Sequence, residues 1–100
     1  MQNVNFATET FSNQMAALLV NSFSINSTHI VAFLQNTGSK PVEITSAYVN
    51  GLIATIVNLV KIAPNAVEAV ILAESFIAGN LHSVKFETIF GTDVTFQASF

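Results

Sequence analysis

Residues 42–62 read Val-Glu-Ile-Thr-Ser-Ala-Tyr-Val-Asn-Gly-Leu-Ile-Ala-Thr-Ile-Val-Asn-Leu-Val-Lys-Ile. Asn50-Gly51 sits between two apolar segments. A two-residue type I′ turn needs positive φ at both central positions, and Asn-Gly adopts it with little strain. The spacing therefore predicts a hairpin. One strand covers 42–49, with Val42, Ile44, Ser46 and Tyr48 on one face. The other covers 52–62 and returns antiparallel to it. Ala63-Pro64-Asn65 ends the second strand, because proline removes a ladder donor.

Strands are expected on either side of this hairpin. Residues 28–35 (THIVAFLQ) are β-branched and aromatic, and the turn-rich 36–41 (NTGSKP) follows them. Residues 66–73 form another short strand. Near the C-terminus, Val84, Phe86 and Phe90 alternate with Lys85, Glu87 and Ile89. Val94, Phe96, Ala98 and Phe100 alternate with Thr95, Gln97 and Ser99. Period two marks half-buried strands, and Gly91-Thr92-Asp93 joins them as a hairpin loop. Residues 74–80 are read as a crossover with one helical turn, ending in Gly79-Asn80. A first strand is expected from about Met15 to Ile25. Before it, Ala7, Phe11, Met15 and Leu18 sit at helical spacing, which suits the tail of an upstream helix. Residues 1–14 are thus an N-terminal segment and 15–100 one domain. About seven short strands with turns roughly every 8–12 residues predict an all-β, immunoglobulin-like antiparallel β-sandwich.

Composition narrows the function. Of 100 residues, 51% are hydrophobic and 9% charged, with three Lys or Arg, six Asp or Glu and no Cys. Soluble domains average about 25% charged residues. A nucleic-acid binder needs a clustered basic face, which three cations do not make. Disulfides and thiolate metal sites are excluded. Asn, Gln, Ser and Thr supply a polar surface that hydrates independently of pH, which fits an extracellular or acid-exposed setting. No apolar run reaches the roughly 18–20 residues of a membrane helix. Met1-Gln-Asn-Val lacks the basic start and apolar block of a signal peptide.

Catalytic chemistry has few candidates. His29 and His82 begin strands and are expected to face solvent. The carboxylates are dispersed, without calcium-loop spacing. No nucleophile elbow or phosphate-binding glycine loop occurs. No enzyme, cofactor or metal is expected. A carbohydrate-binding module would display aromatics, whereas the nine Phe are read mostly at core parity, with Tyr48 as the single Tyr. Asn26-Ser27-Thr28 is an N-glycosylation sequon in an expected loop, with a plain turn as the alternative.

Surplus apolar surface is the main functional signal. In 52–62, Leu52, Ala54, Ile56, Val60 and Ile62 share one parity, and Ile53, Val57 and Leu59 the other. Residues 69–73 (AVILA) are also apolar on both faces. A two-layer sandwich buries one face of each sheet, so a strand apolar on both needs two covers. One sheet is expected to meet another subunit, by face or edge, through Ile53, Val57, Leu59, Val70, Ile71 and Leu72. Alternatively residues 2–14 or 74–80 fold over that face.

The run 29–51, HIVAFLQNTGSKPVEITSAYVNG, resembles the extracellular domains of archaeal type IV filament proteins. These pair a hydrophobic strand with Asn-x-Gly-x-x-Pro-Val and a strand closing in Tyr-Val-Asn-Gly. Ile62-Ala63-Pro64-Asn65-Ala66 resembles their proline turn, and 82–100 their closing hairpin. The group includes pilins, archaellins and archaellum stator proteins, and this chain looks most like the last. The resemblance implies a structural domain that anchors the archaellum motor to the cell envelope. It implies homo- or hetero-oligomers with a related β-sandwich and contact with surface-layer protein. It implies a pseudoperiplasmic location, anchored in the archaeal membrane by an N-terminal apolar helix. Residues 1–100 depart from the family in lacking that helix. A pilin or archaellin subunit of an adhesion filament is the alternative.

Overall fold

The computed structural model describes residues 18–58 and 60–100. The readings placed on residues 1–17, including the start of the first strand before Leu18 and the helical spacing of Ala7, Phe11 and Met15, lie outside the described residues. Among the described residues nine strands follow one another: β1 (Leu18–Ile25), β2 (His29–Asn36), β3 (Val42–Val49), β4 (Leu52–Ile53), β5 (Thr55–Ile56), β6 (Lys61–Ile62), β7 (Val67–Ala73), β8 (His82–Thr88) and β9 (Asp93–Ala98). They form two antiparallel sheets. One has the order β1-β2-β7-β5, the other β4-β3-β8-β9, with β6 also paired to β3.

The Asn-Gly turn forms as the sequence dictates. Asn50 has φ 54° and Gly51 φ 83°, and Val49 pairs with Leu52 across them. Asn50 is also tied to β8. Its N–H donates to the Ser83 carbonyl at 2.8 Å and its Oδ1 accepts from the Ser83 N–H at 2.9 Å.

The returning strand differs from the expected continuous 52–62. Only Leu52–Ile53 pair with β3 at the hairpin. The chain then crosses to the other sheet, where Thr55 and Ile56 pair with Ala73 and Leu72 of β7. It comes back through Lys61–Ile62, opposite Val42 and Glu43. Ala54 N–H donates to the Ala47 carbonyl at 2.8 Å, and Ile44 N–H to the Val60 carbonyl at 3.0 Å. One segment thus closes a whole side of the sandwich, bound to both sheets in turn. Parity survives the crossing better than pairing does. Val60 and Ile62 are buried, Ala54 and Ile56 pack against the core, and Ile53 and Val57 face out. Leu52, at inner parity, is exposed at the hairpin tip.

A bulge between Ile44 and Ser46 shifts the register of β3 on β8. Beyond it Ala47, not Ser46, faces inward, which corrects the face expected for Ser46 and Tyr48. The crossover 74–80 holds no helix. It runs extended, with a turn at Ala78-Gly79 where Gly79 takes φ 87°. The closing strands also end earlier than expected. Phe90 and Phe100 fall beyond β8 and β9 and are exposed.

The core lies between the sheets: Ile30, Ala32 and Leu34 of β2, Val70 and Leu72 of β7, Val42, Ile44 and Ala47 of β3, Val84 and Phe86 of β8, and Val94 and Phe96 of β9. Burying a side chain such as Phe86 stabilises the fold by roughly 1.5–3 kcal/mol. Phe86 and Phe96 stack at 6.1 Å, and Phe23 of β1 closes on Phe96 at 5.1 Å. That contact joins the β1 side of one sheet to the β9 side of the other.

Candidate interaction face

Alternation makes the outer face of the β1-β2-β7-β5 sheet readable residue by residue. In β2, Ile30, Ala32, Leu34 and Asn36 point inward, so His29, Val31, Phe33 and Gln35 point out. Register places Ala73, Ile71, Ala69 and Val67 of β7 directly beside them. Leu19, Ser22 and Ser24 of β1 flank the other side, and Val57 continues the surface past β5. The middle of this face is Val31, Phe33, Val67, Ala69, Ile71 and Val57, with no Asp, Glu, Lys or Arg among them. Phe33 is 39%, Val67 44% and Val57 55% exposed.

The opposite sheet is built differently. Its outward residues include Ser46, Tyr48, Ser83, Lys85, Glu87, Asp93, Thr95 and Gln97. Lys85 Nζ lies 3.5 Å from Glu87 Oε2 and 5.1 Å from the centre of the Tyr48 ring. Ser46 Oγ donates to Glu87 Oε1 at 3.0 Å. Such partners are hydrated and charged, as a solvent-facing sheet should be. The two outer faces of one small sandwich thus have opposite character. The apolar outer face is therefore the candidate interaction face.

The β7 edge beside that face is capped in part by a side chain. Asn58 Nδ2 donates to the Ala69 carbonyl at 3.0 Å, and its Oδ1 accepts from the Ile71 N–H at 3.0 Å. Val57 N–H also donates to the Ile71 carbonyl at 2.8 Å. One side-chain amide thereby replaces a strand residue along β7. An unpaired edge invites pairing with another chain, and Asn58 fills that position beside Ala69 and Ile71.

The expected interface residues separate into groups. Val57 and Ile71 lie on the apolar face. Ile53 is exposed but belongs to β4, beside Tyr48 at the margin of the polar sheet. Val70 and Leu72 are fully buried in the chain's own core, which corrects their assignment, because the two-sided apolar character of β7 is split between inside and outside. Leu59 lies outside the described residues. The sequence reading missed Val31, Phe33 and Val67. Their signal was there: 28–35 is apolar at both parities, as 69–73 is.

Other expectations also change. His29 is exposed, but His82 is buried, contrary to the expectation that it faces solvent. Its Nε2 accepts from the Ile77 N–H at 3.3 Å, its Nδ1 lies 3.2 Å from the Ala98 carbonyl, and Phe76 packs edge-on at 5.2 Å. The neutral ring with its proton on Nδ1 satisfies both contacts, so His82 is a structural link. The Phe residues are less internal than expected. Phe76, Phe86 and Phe96 are buried, while Phe23, Phe33, Phe90 and Phe100 are exposed. Among the described residues no cluster of His, Asp or Glu could hold a metal ion, and no helix is long and apolar enough to cross a membrane.

The strand orders define the class. The pattern β1-β2-β7-β5 over β3-β8-β9 is the A-B-E-D over C-F-G arrangement of immunoglobulin-like sandwiches, with β4 added at the edge. Within that class the fold is similar to the archaellum periplasmic stator protein FlaG from Sulfolobus acidocaldarius. The TM-score is 0.62 at 17% identity, over 83% of this chain and 99% of that one. It is equally similar to the archaellum periplasmic stator protein complex of FlaF and FlaG from the same organism. There the TM-score is 0.62 at 15% identity, over 98% of this chain and 100% of that one. No protein-family model and no curated protein sequence matches the chain. The β-sandwich that the resemblance implied is thus the fold observed.

Proposed function

We propose that this chain is a structural, non-enzymatic extracellular domain of the archaellum machinery. In this reading it is a stator-type component that pairs with a related β-sandwich and anchors the motor to the cell envelope. One observation carries the proposal: the outer face of the β1-β2-β7-β5 sheet is apolar at its centre, while the other sheet is polar and charged. The shared fold with FlaG, over 99% of that solved chain, supports the choice of stator over other sandwich proteins. The partner is a second sandwich of the same kind, because a flat apolar sheet is best covered by another flat sheet. Such a partner is also consistent with the FlaF and FlaG complex. The proposal includes a pseudoperiplasmic location, membrane anchoring through a segment upstream of the sandwich, and contact with the surface layer.

The test is oligomeric state. Size-exclusion chromatography with light scattering on the chain, alone and mixed with a related sandwich from the same genome, should show a dimer or larger species. Val57→Lys should shift it to monomer, because an unpaired Lys desolvated in an interface is strongly unfavourable. A chain that stays monomeric at high concentration under both conditions overturns the reading. Long polymers by electron microscopy would instead indicate a filament subunit.

A further inference from the structure

We propose that Asn26 is an N-glycan acceptor at the end of the sandwich remote from where β1 begins. The chain has ten Asn, and only Asn26 is followed two positions later by Ser or Thr. That sequon occupies the turn between β1 and β2, and Asn26, Ser27 and Thr28 are all exposed. Leu18 pairs with Asn36 at one end of these strands and Ile25 with Ile30 at the other. The turn therefore projects from the end opposite the N-terminal entry.

The turn presents the two residues that a transferase reads. Asn26 Oδ1 accepts from Thr28 N–H at 2.9 Å, from Thr28 Oγ1 at 3.2 Å and from His29 N–H at 2.9 Å. The amide oxygen is fully engaged, so the side chain holds one orientation with Thr28 beside it. Among the described residues no hydrogen bond engages Nδ2. The backbone is fixed from behind, since Ser27 and Thr28 carbonyls accept from Phe76 and Glu74 N–H. A glycan on Nδ2 breaks none of these contacts and no ladder bond.

The co-substrate is an oligosaccharide carried on a polyprenyl pyrophosphate. Nδ2 attacks the anomeric carbon and a C–N bond forms. The C–O bond to the pyrophosphate breaks, the lipid pyrophosphate leaves with the electron pair, and Nδ2 loses one proton to a transferase carboxylate. The inference rests on the extracellular location in the proposed function, but acceptor competence can be tested apart from it.

The folded chain is incubated with a single-subunit oligosaccharyltransferase and a polyprenyl-pyrophosphate heptasaccharide, with a sequon peptide as control in the same tube. Intact mass should rise by one glycan, mapped to Asn26 by peptide sequencing. Asn26→Gln and Thr28→Ala should abolish the gain, and Thr28→Ser should retain it, with circular dichroism unchanged in all three. Transfer to the control peptide but not to the folded chain overturns the proposal. So does transfer that persists in Asn26→Gln. A negative result here leaves the oligomerisation test untouched, and a monomeric chain that accepts the glycan separates the two readings.

Discussion

Asn36 Nδ2 donates to the Ile62 carbonyl at 3.0 Å, joining positions 26 residues apart in the chain. The same nitrogen donates to the Lys40 carbonyl at 2.7 Å, and Oδ1 accepts from the Gly38 N–H at 2.9 Å. The backbone of Asn36 exchanges two more bonds with Asn65 and Ala66. The buried side-chain amide therefore fastens β2, the following turn and β6 to one another, and the Asn36 backbone adds the Pro64 turn. Asn36→Ala takes a partner from the buried Ile62 carbonyl and from two part-buried groups, the Lys40 carbonyl and the Gly38 N–H, at about 1–3 kcal/mol for a buried group left unsatisfied. Urea unfolding should show a loss of about 2–4 kcal/mol, allowing for partial relaxation. Asn36→Asp should be no better. It keeps the Gly38 bond but turns a carboxylate oxygen toward the Lys40 and Ile62 carbonyls.

Asn58 protects the β7 edge by its side chain alone. In Asn58→Ala the Ala69 carbonyl and Ile71 N–H lose their partners next to an apolar face. The expected stability loss is about 1–2 kcal/mol. A larger change should appear in aggregation, as faster thioflavin-positive assembly than the unmodified chain under the same mildly destabilising conditions. Asn58→Asp, which retains only the acceptor, should fall between the two.

Gly51 isolates backbone strain from packing. A Cβ placed there meets nothing within 4 Å, yet φ is 83°. Gly51→Ala should therefore destabilise by about 1 kcal/mol through the left-handed conformation alone. Thermal melting should show a lower Tm with no change in oligomeric state.

Val57 and Val70 lie near each other in the same sheet but on different sides of it. Val70→Lys puts a charge into the core and should abolish the folded circular dichroism signal. Compared at a concentration where both are monomeric, Val57→Lys should melt within about 0.5 kcal/mol of the unmodified chain. If the two variants lost stability equally, the division of this sheet into an inner and an outer face would be wrong.

The parts of this fold that local chemistry dictates were readable in the sequence. Asn50-Gly51 announced its turn, alternation set β8 and β9, and the apolar excess in 69–73 signalled an apolar outer face. The features set by distant partners were not readable. The β3 bulge depends on how β8 meets Ile44 and Ser46, so parity counted straight through Thr45 misplaced Ser46 and Ala47. Nothing local told that 52–62 would leave its hairpin partner for β7, because Thr55 and Asn58 look like ordinary polar interruptions. Asn58 has its meaning only beside Ala69 and Ile71. The candidate face was legible in part. Val57 and Ile71 were identified, but Val70 and Leu72 could be assigned to the core only once β2 lay next to β7. Phe33 escaped notice because the Phe residues are read mostly at core parity, and Val31 lies beside it on the same parity.

The run of β1 alongside β2 also bears on mechanics. Leu18 enters at the end where Asn36 lies, and β9 finishes with Ala98 at the other. Tension between an attachment before Leu18 and a contact at the remote end is directed along the strands. The β1–β2 rungs are then stretched together instead of peeling in sequence, so rupture requires many to fail at once. A domain threaded in this way behaves as a stiff tether under pull.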